Sequence, residues 1–217
     1  MEQYLIHTCK QRKWYVNKYL IPSMMEQGIE KILVYCDEDG EGQIVSLMNS
    51  FKLVKCDDTW HLQDDIIISS RFKELTEEYN KGIVCGFCNS FSNGAPGYLS
   101  LPHMWYSMPC IRIPGDIFAH FINWMHQADT QRRFQAFFAE KKHDDMFLQY
   151  FLKENYPNIR IRNLKPNVVN HIDHLIGGSV INGGRTKNPE YLMATYWDEP
   201  ELLVDIEKKL KKGGRNK

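Results

Sequence analysis

The sequence has no Gly-x-Gly-x-x-Gly run, no Walker-type phosphate loop and no Gly-x-Ser-x-Gly elbow. These absences remove the main sequence support for a dinucleotide dehydrogenase, a P-loop ATPase and an α/β-hydrolase. No apolar stretch approaches the roughly 20 residues that span a bilayer. The start, Met1-Glu2-Gln3-Tyr4, carries no signal-peptide pattern, which predicts a cytoplasmic protein. Neither sign of charge prevails: 27 Lys and Arg balance 27 Asp and Glu. No global field therefore draws the chain to nucleic acid or anionic membrane, and such affinity would need a local patch. A second cysteine pair is also missing. Cys85-Gly86-Phe87-Cys88 has the spacing of half a zinc site, but no other pair completes it, and Ile83-Val84-Cys85 reads as a strand rather than a redox helix. The six cysteines are expected to be reduced and mostly buried.

What is present is the composition of an ordinary globular protein. The 217 residues are 43% hydrophobic and 25% charged, enough for one substantial core. Apolar runs at Gln3 to Thr8, Lys31 to Cys36, Trp60 to Ile68 and Ile83 to Phe87 predict strands. Val16, Leu20 and Met24 share a helical face, as do Phe72, Leu75 and Tyr79. Later helices are marked by Ile117, Phe118, Phe121 and Met125, by Phe134, Phe137 and Phe138, and by Phe147, Tyr150 and Phe151. Short strands are expected at Asn158 to Arg162 and Asn167 to Val169, and Pro200 opens a terminal helix. The alternation predicts a single α/β domain, a mixed sheet flanked by helices, over residues 1–205, followed by a basic tail at 206–217.

Three polar clusters interrupt the apolar runs. Asp64-Asp65 lies between Trp60-His61-Leu62-Gln63 and Ile66-Ile67-Ile68. Two carboxylates there are either a divalent-cation site, with phosphate and water completing the shell, or a solvated turn. Asp144-Asp145 precedes an aromatic helix, where an N-cap and a general base are both served by a carboxylate. His171, within Asn167-Val168-Val169-Asn170-His171, follows a strand-like run and is either a metal ligand or a hydrogen-bonded imidazole. Asp37, at the end of another strand, is suited to accept hydrogen bonds from a base or a ribose. It does not open an EF-hand loop, because Met48 stands where a bidentate Glu is needed.

In this order the clusters resemble a compact nucleotide-sugar glycosyltransferase of the GT-A fold, of the kind encoded by bacteriophages. The resemblance runs through His7-Thr8-Cys9-Lys10-Gln11-Arg12, Asp37, Leu62-Gln63-Asp64-Asp65, His143-Asp144-Asp145, and Pro166-Asn167-Val168-Val169-Asn170-His171 with Ser179. It covers roughly residues 3 to 182. It departs at Gln63, where the family's acidic motif often has Asp or Glu.

The resemblance implies a Rossmann-type sheet and a Mn²⁺ or Mg²⁺ cofactor held by Asp65 and His171. It implies a nucleotide-sugar pocket, UDP-sugar foremost, lined by Thr8, Arg12, Asp37, Asp64 and Ser179. Asp145 would be the catalytic base, with Asp144 its rival. The implied acceptor is a hydroxymethylated pyrimidine of duplex phage DNA, reached in a host cytoplasm. Basic residues that suit phosphate are Arg160, Arg162, Lys165, Arg185, Lys187 and the lysines from 208 onward. Trp105, Tyr106 and the loop Ser92 to Gly97 would receive a flipped base. Three readings compete: a transferase acting on a cell-surface glycan or small molecule, a non-catalytic DNA-binding relative, and a nucleotidyltransferase, which would release pyrophosphate.

Overall fold

The computed structural model describes residues 2–54, 57–88, 99–104, 108–140, 144–178 and 197–213, without the side chains of 104, 138, 140 and 144. The expectations for Ser92 to Gly97, Trp105, Tyr106, Ser179, Arg185 and Lys187 lie outside the described residues, as do Cys56 and the last four residues.

The chain opens with β1 (Gln3–Cys9), whose successive side chains enter two different cores. Tyr4 and Ile6 face one layer and Leu5 the other. A helical run follows: α1 (Lys13–Tyr15), a π-helical turn (Val16–Leu20) and α2 (Ile21–Glu26). Tyr15, Val16, Leu20 and Met24 are buried beneath it. Next come β2 (Ile32–Asp37), α3 (Gln43–Phe51), β3 (Thr59–Gln63), β4 (Ile66–Ile68), α4 (Phe72–Glu78) and β5 (Ile83–Cys85). The second half contributes β6 (Leu99–Ser100), β7 (Cys110–Ile113), α5 (Gly115–His126), α6 (Ala128–Arg133), α7 (Gln135–Glu140) and α8 (Asp144–Asn155). It closes with β8 (Ile161–Asn163), β9 (Val169–His171), a 3₁₀ turn (Asp173–Leu175) and α9 (Pro200–Gly213).

Seven strands form one mixed sheet in the order β2-β1-β3-β7-β5-β8-β6. β1 pairs parallel with both β2 and β3, while β7 runs antiparallel to β3 and β5. Parallel neighbours put the ends of β1, β2 and β3 at one rim of the sheet, where α/β folds commonly bind ligands. A second, two-stranded sheet pairs β4 with β9. One face of the main sheet is covered by α1, α2, α4 and α9, the other by α3, α5 and α8. No helix among the described residues is long and apolar enough to cross a membrane.

Sequence periodicity does not anticipate β7, because Arg112 interrupts its apolar run. Arg112 is nonetheless 1% exposed. Its guanidinium is held by Glu2 at 2.7 Å, by the Gly82 carbonyl at 2.8 Å and by Asp58. Buried charge is tolerated where every donor is met. The expectation of reduced, buried cysteines agrees with Cys85, Cys88 and Cys110, which are in no disulfide and are fully buried, whereas Cys9 and Cys36 are partly covered. Helix α9 passes through residue 205, and Leu210 reaches the core, so the residues expected as a tail are helical as far as 213.

Candidate functional site

At the rim formed by β1 and β3, side chains distant in sequence converge on Arg12. Arg12 follows a tight turn in which its amide donates to the Cys9 carbonyl at 3.0 Å. Its guanidinium is 5% exposed. Nη1 donates to Asp64 Oδ1 at 2.9 Å and to Asp65 Oδ2 at 2.6 Å. Nη2 donates to Asp173 Oδ1 and, at 2.8 Å, to the Gly178 carbonyl. Asp64 is held further by the Thr8 hydroxyl at 2.8 Å and the Cys9 amide at 3.2 Å. These bonds follow from the parallel β1–β3 register, which sets His7 opposite Gln63 and so brings Thr8 beside Asp64.

The small sheet delivers the imidazole. β9 runs antiparallel to β4 with His171 opposite Ile66, and the Ile172 amide donates to the Asp65 carbonyl at 2.8 Å. His171 Nε2 thereby stands 3.2 Å from Asp65 Oδ2. The 3₁₀ turn that follows carries Asp173 to Arg12.

The electrostatics are unbalanced. Three carboxylates meet one guanidinium and one imidazole. Burial opposes ionisation of Asp65, yet His171 and Arg12 outweigh it and hold this carboxyl well below the usual range. Asp64 moves the other way: burial and the neighbouring Asp65 raise it against the pull of Arg12. Asp173 is raised as well, by burial first, with Arg12 opposing. Burial favours the neutral form of His171, but Asp65 more than offsets this and its pKa is raised. The site thus has more carboxyl groups than cations to meet them, and three polar atoms in it, Arg12 Nε, Asp65 Oδ1 and His171 Nδ1, are buried without a partner.

That pattern fits a divalent cation in one limited sense. A hard carboxylate oxygen and an imidazole are acceptable donors for Mn²⁺ or Mg²⁺. Among the described residues, however, no three His, Cys, Asp or Glu side chains are grouped to hold one ion. The protein would supply two donors at most, and phosphate and water the remainder, as is usual for Mg²⁺. Asp64 and Asp173 are committed to Arg12.

The other expected residues lie apart from this network or outside the description. Asp37 ends β2, next to β1, and its Oδ1 accepts the amides of Asp39, Gly40 and Glu41 at 3.2, 2.7 and 3.0 Å. Asp145 stands in the first turn of α8, where Oδ1 accepts the Met146 amide at 2.7 Å. Asp144 is the first residue of that helix, and its side chain is outside the described residues, as is Ser179. α8 packs Phe147, Leu148, Phe151 and Leu152 into the core shared with α3 and α5, the layer opposite α1 and α9. Asp173, the Cys9 amide and the Gly178 carbonyl are members of the network that motif reading leaves out. Only the spacing His171-x-Asp173 hinted at the first of them.

No family model matches the chain, and no curated protein matches it in sequence. Solved structures do. A proposed glucose-1-phosphate thymidylyltransferase from Bacillus anthracis, in complex with a sucrose, is 9% identical with a TM-score of 0.50, over 79% of this chain and 89% of that one. The fold is similar to that of this thymidylyltransferase. The α/β architecture with a mixed, Rossmann-like sheet is therefore shared with a nucleotidyltransferase structure. Two weaker likenesses, with TM-scores of 0.48 and 0.45, are to the inositol-1-phosphate CTP transferase of T. maritima and the CTP:phosphocholine cytidylyltransferase of Streptococcus pneumoniae. They are 9% and 10% identical, covering 98% and 79% of this chain and 96% and 93% of theirs.

Proposed function

We propose that the chain is a transferase acting on a nucleotide-sugar, and that it moves the sugar from a nucleoside diphosphate, UDP foremost, to an acceptor hydroxyl. The observation that carries the reading is the Arg12-centred network at the rim of β1 and β3, with Asp65 Oδ1 left without a partner. The Asp65 carboxylate, held ionised by His171 and Arg12, repels a diphosphate unless a cation lies between them. A divalent ion held by Asp65 and His171 would supply that charge and stabilise the departing diphosphate. Arg12 orients Asp64 and Asp65, and His171 steadies Asp65 from the other side. Asp145, expected as the base with a contribution typically of about 10²–10⁴-fold, lies in the first turn of a helix on the layer opposite α1 and α9, so in that role it would act on an acceptor that spans the two.

The turn after β1 favours glycosyl transfer over nucleotidyl transfer. A triphosphate is commonly cradled by free backbone amides of a glycine-rich loop. Here residues 9–12 contain no glycine. The amides of Cys9, Lys10 and Arg12 are already engaged with Asp64, with the Asp37 carbonyl and with the Cys9 carbonyl. The finer proposal, a hydroxymethylated pyrimidine in duplex DNA as acceptor, rests on the basic residues alone. Two of them are engaged in local pairs: Lys208 lies 3.5 Å from Asp205 and Lys211 2.5 Å from Glu207. Arg162 lies over the Tyr79 ring.

Thermal unfolding with UDP, GDP, CDP and ADP, each with and without Mn²⁺, tests the donor site. A ligand at 100 times its Kd adds about 2.7 kcal/mol. The expected result is a shift that needs one nucleotide and the metal together and that disappears in Asp65→Asn. Turnover must then release a nucleoside diphosphate. Release of pyrophosphate assigns nucleotidyl transfer instead, and no shift with any nucleotide overturns the reading.

A further inference from the structure

The main sheet ends on two unequal edges. Among the described residues β6 contributes two, Leu99–Ser100, a length that offers little to another chain. β2 contributes six, Ile-Leu-Val-Tyr-Cys-Asp, with no proline, lysine or glycine inside the strand. Proteins usually blunt a strand of this kind with charge, proline or a bulge. None of its residues is fully buried, whereas β1, its one neighbour in the sheet among the described residues, is buried at five of its seven positions. Val34 is 38% exposed. It lies beside Ile6 on the face where α1 and α2 pack, and only Ile32 of that row meets the core. On the opposite face Leu33 and Tyr35 are partly covered.

We propose that β2 pairs antiparallel with β2 of a second copy of this chain, about a twofold axis at Val34. The occupant is chosen by the strand's own pattern. With Val34 facing itself, Leu33 stands opposite the partner's Tyr35 and Ile32 opposite the partner's Cys36. Lys31, which also lies 2.6 Å from Asp57 of its own chain, stands opposite the partner's Asp37, so its ammonium would bridge two carboxylates. Directly opposed residues of an antiparallel pair share one face, so the match places apolar beside apolar and cation beside anion, twice over. The next pair outward, Glu30 and the partner's Glu38, is like-charged, but Glu38 is already neutralised by Lys13 at 2.6 Å. A parallel or shifted pairing loses the Lys31–Asp37 match. A one-residue slip also turns Val34 to the other face. The twofold arrangement closes on itself, which separates a discrete dimer from open-ended association.

Six residues of edge pairing bury less than a standard interface, so the dimer belongs to the weak class, with Kd on the order of 10 µM. Sedimentation of the full chain from about 1 to 500 µM reads it directly. Val34→Lys places a charge at the centre of an exposed edge, and its circular dichroism verifies that the fold is kept. The expected result is a concentration-dependent dimer whose Kd rises at least tenfold in Val34→Lys. Opposed Cα atoms lie about 4.5–5.5 Å apart, within disulfide range. Val34→Cys should therefore form a disulfide-linked dimer on mild oxidation, while Leu53→Cys, at another exposed apolar position, should not. A monomer throughout the range, a dimer indifferent to Val34→Lys, or crosslinking no better at 34 than at 53 each overturns the proposal.

Discussion

Arg12 is the residue on which the candidate site depends most visibly. Its removal leaves Asp64, Asp65 and Asp173 facing one another in a buried space. Breaking a buried ion pair from one side costs about 3–5 kcal/mol, because the charge left behind is unpaired. Arg12→Met is therefore expected to lower the free energy of urea unfolding by that amount, and Arg12→Lys, which keeps the charge without the fork, by less. Two further histidines govern acid stability. His61 is fully buried between the rings of His7 and Phe51, and burial, with a smaller part from His7, pushes its pKa down to about 3. Burial likewise lowers His7 to about 4, against the opposing pull of Asp37 and Asp65. Both folded values lie below the ordinary 6.5. As pH falls from about 6.5, the unfolded chain takes up protons that the folded chain refuses, so the stability present above 6.5 is progressively lost. Each such proton contributes about 1.4 kcal/mol per pH unit. In unfolding measured between pH 7 and 4, His61→Leu should flatten the slope by about one proton.

At the scale of elements, the small β4–β9 sheet is what places His171 against Asp65. Its approach to the main sheet depends on Gly86. A Cβ there would stand 2.5 Å from Val168 Cγ2 and 2.7 Å from Cys110 Sγ. The Gly86 carbonyl also accepts the Val168 amide at 2.9 Å, which ties the strand that becomes β9. Gly86→Ala should destabilise by about 1–3 kcal/mol through overpacking, and it should weaken the metal-dependent nucleotide shift by displacing His171. A variant with the stability loss and an unchanged nucleotide shift would separate the two effects. Helix α9 matters for a different reason. Leu210 is 9% exposed within the core that also holds Ile66 and Trp60, and Glu199, just before the helix, is tied to the turn ahead of α4 by accepting the Ser70 amide at 3.0 Å. Leu210→Ala is expected to cost about 2–3 kcal/mol, read by urea unfolding. Ending the chain at residue 205 should cost more, since Ile206 is lost with it.

At the scale of the molecule, formal neutrality decides how duplex DNA can be held. With 27 charges of each sign, binding would have to come from a local basic patch. Lys208 and Lys211 are partly spent on carboxylates of their own helix. If the proposed duplex acceptor is bound, the binding should therefore involve few phosphate contacts, with a shallow dependence of log K on log salt, on the order of −2 to −3. A steep slope near −6 or beyond would show a basic surface made by residues outside this patch. Nucleotide binding should be far less sensitive to salt, because the Arg12 network is buried.

Much of this was legible in the residues. Apolar runs expose β1, β2 and β3, and helical periodicity exposes the aromatic helices, because a strand covered on both faces reads as a run while a helix buried on one face imposes a period. Asp64, Asp65 and His171 stand out because polar groups in or beside apolar runs need partners, whereas Thr8 and Arg12 are named only through the family resemblance. Their mutual arrangement was not legible. Arg12 and Asp173 are 161 residues apart, and nothing local in either segment names the other. That contact is decided by the parallel β1–β3 register and by the β4–β9 pairing, which are long-range backbone choices. Arg112 likewise reads as a break in a strand until Glu2, Asp58 and the Gly82 carbonyl surround it. The sequence by itself determined which segments bury a face and which polar residues demand company. The tertiary structure alone decided which partners they found, since pairing energies depend on distance in space and not on separation along the chain.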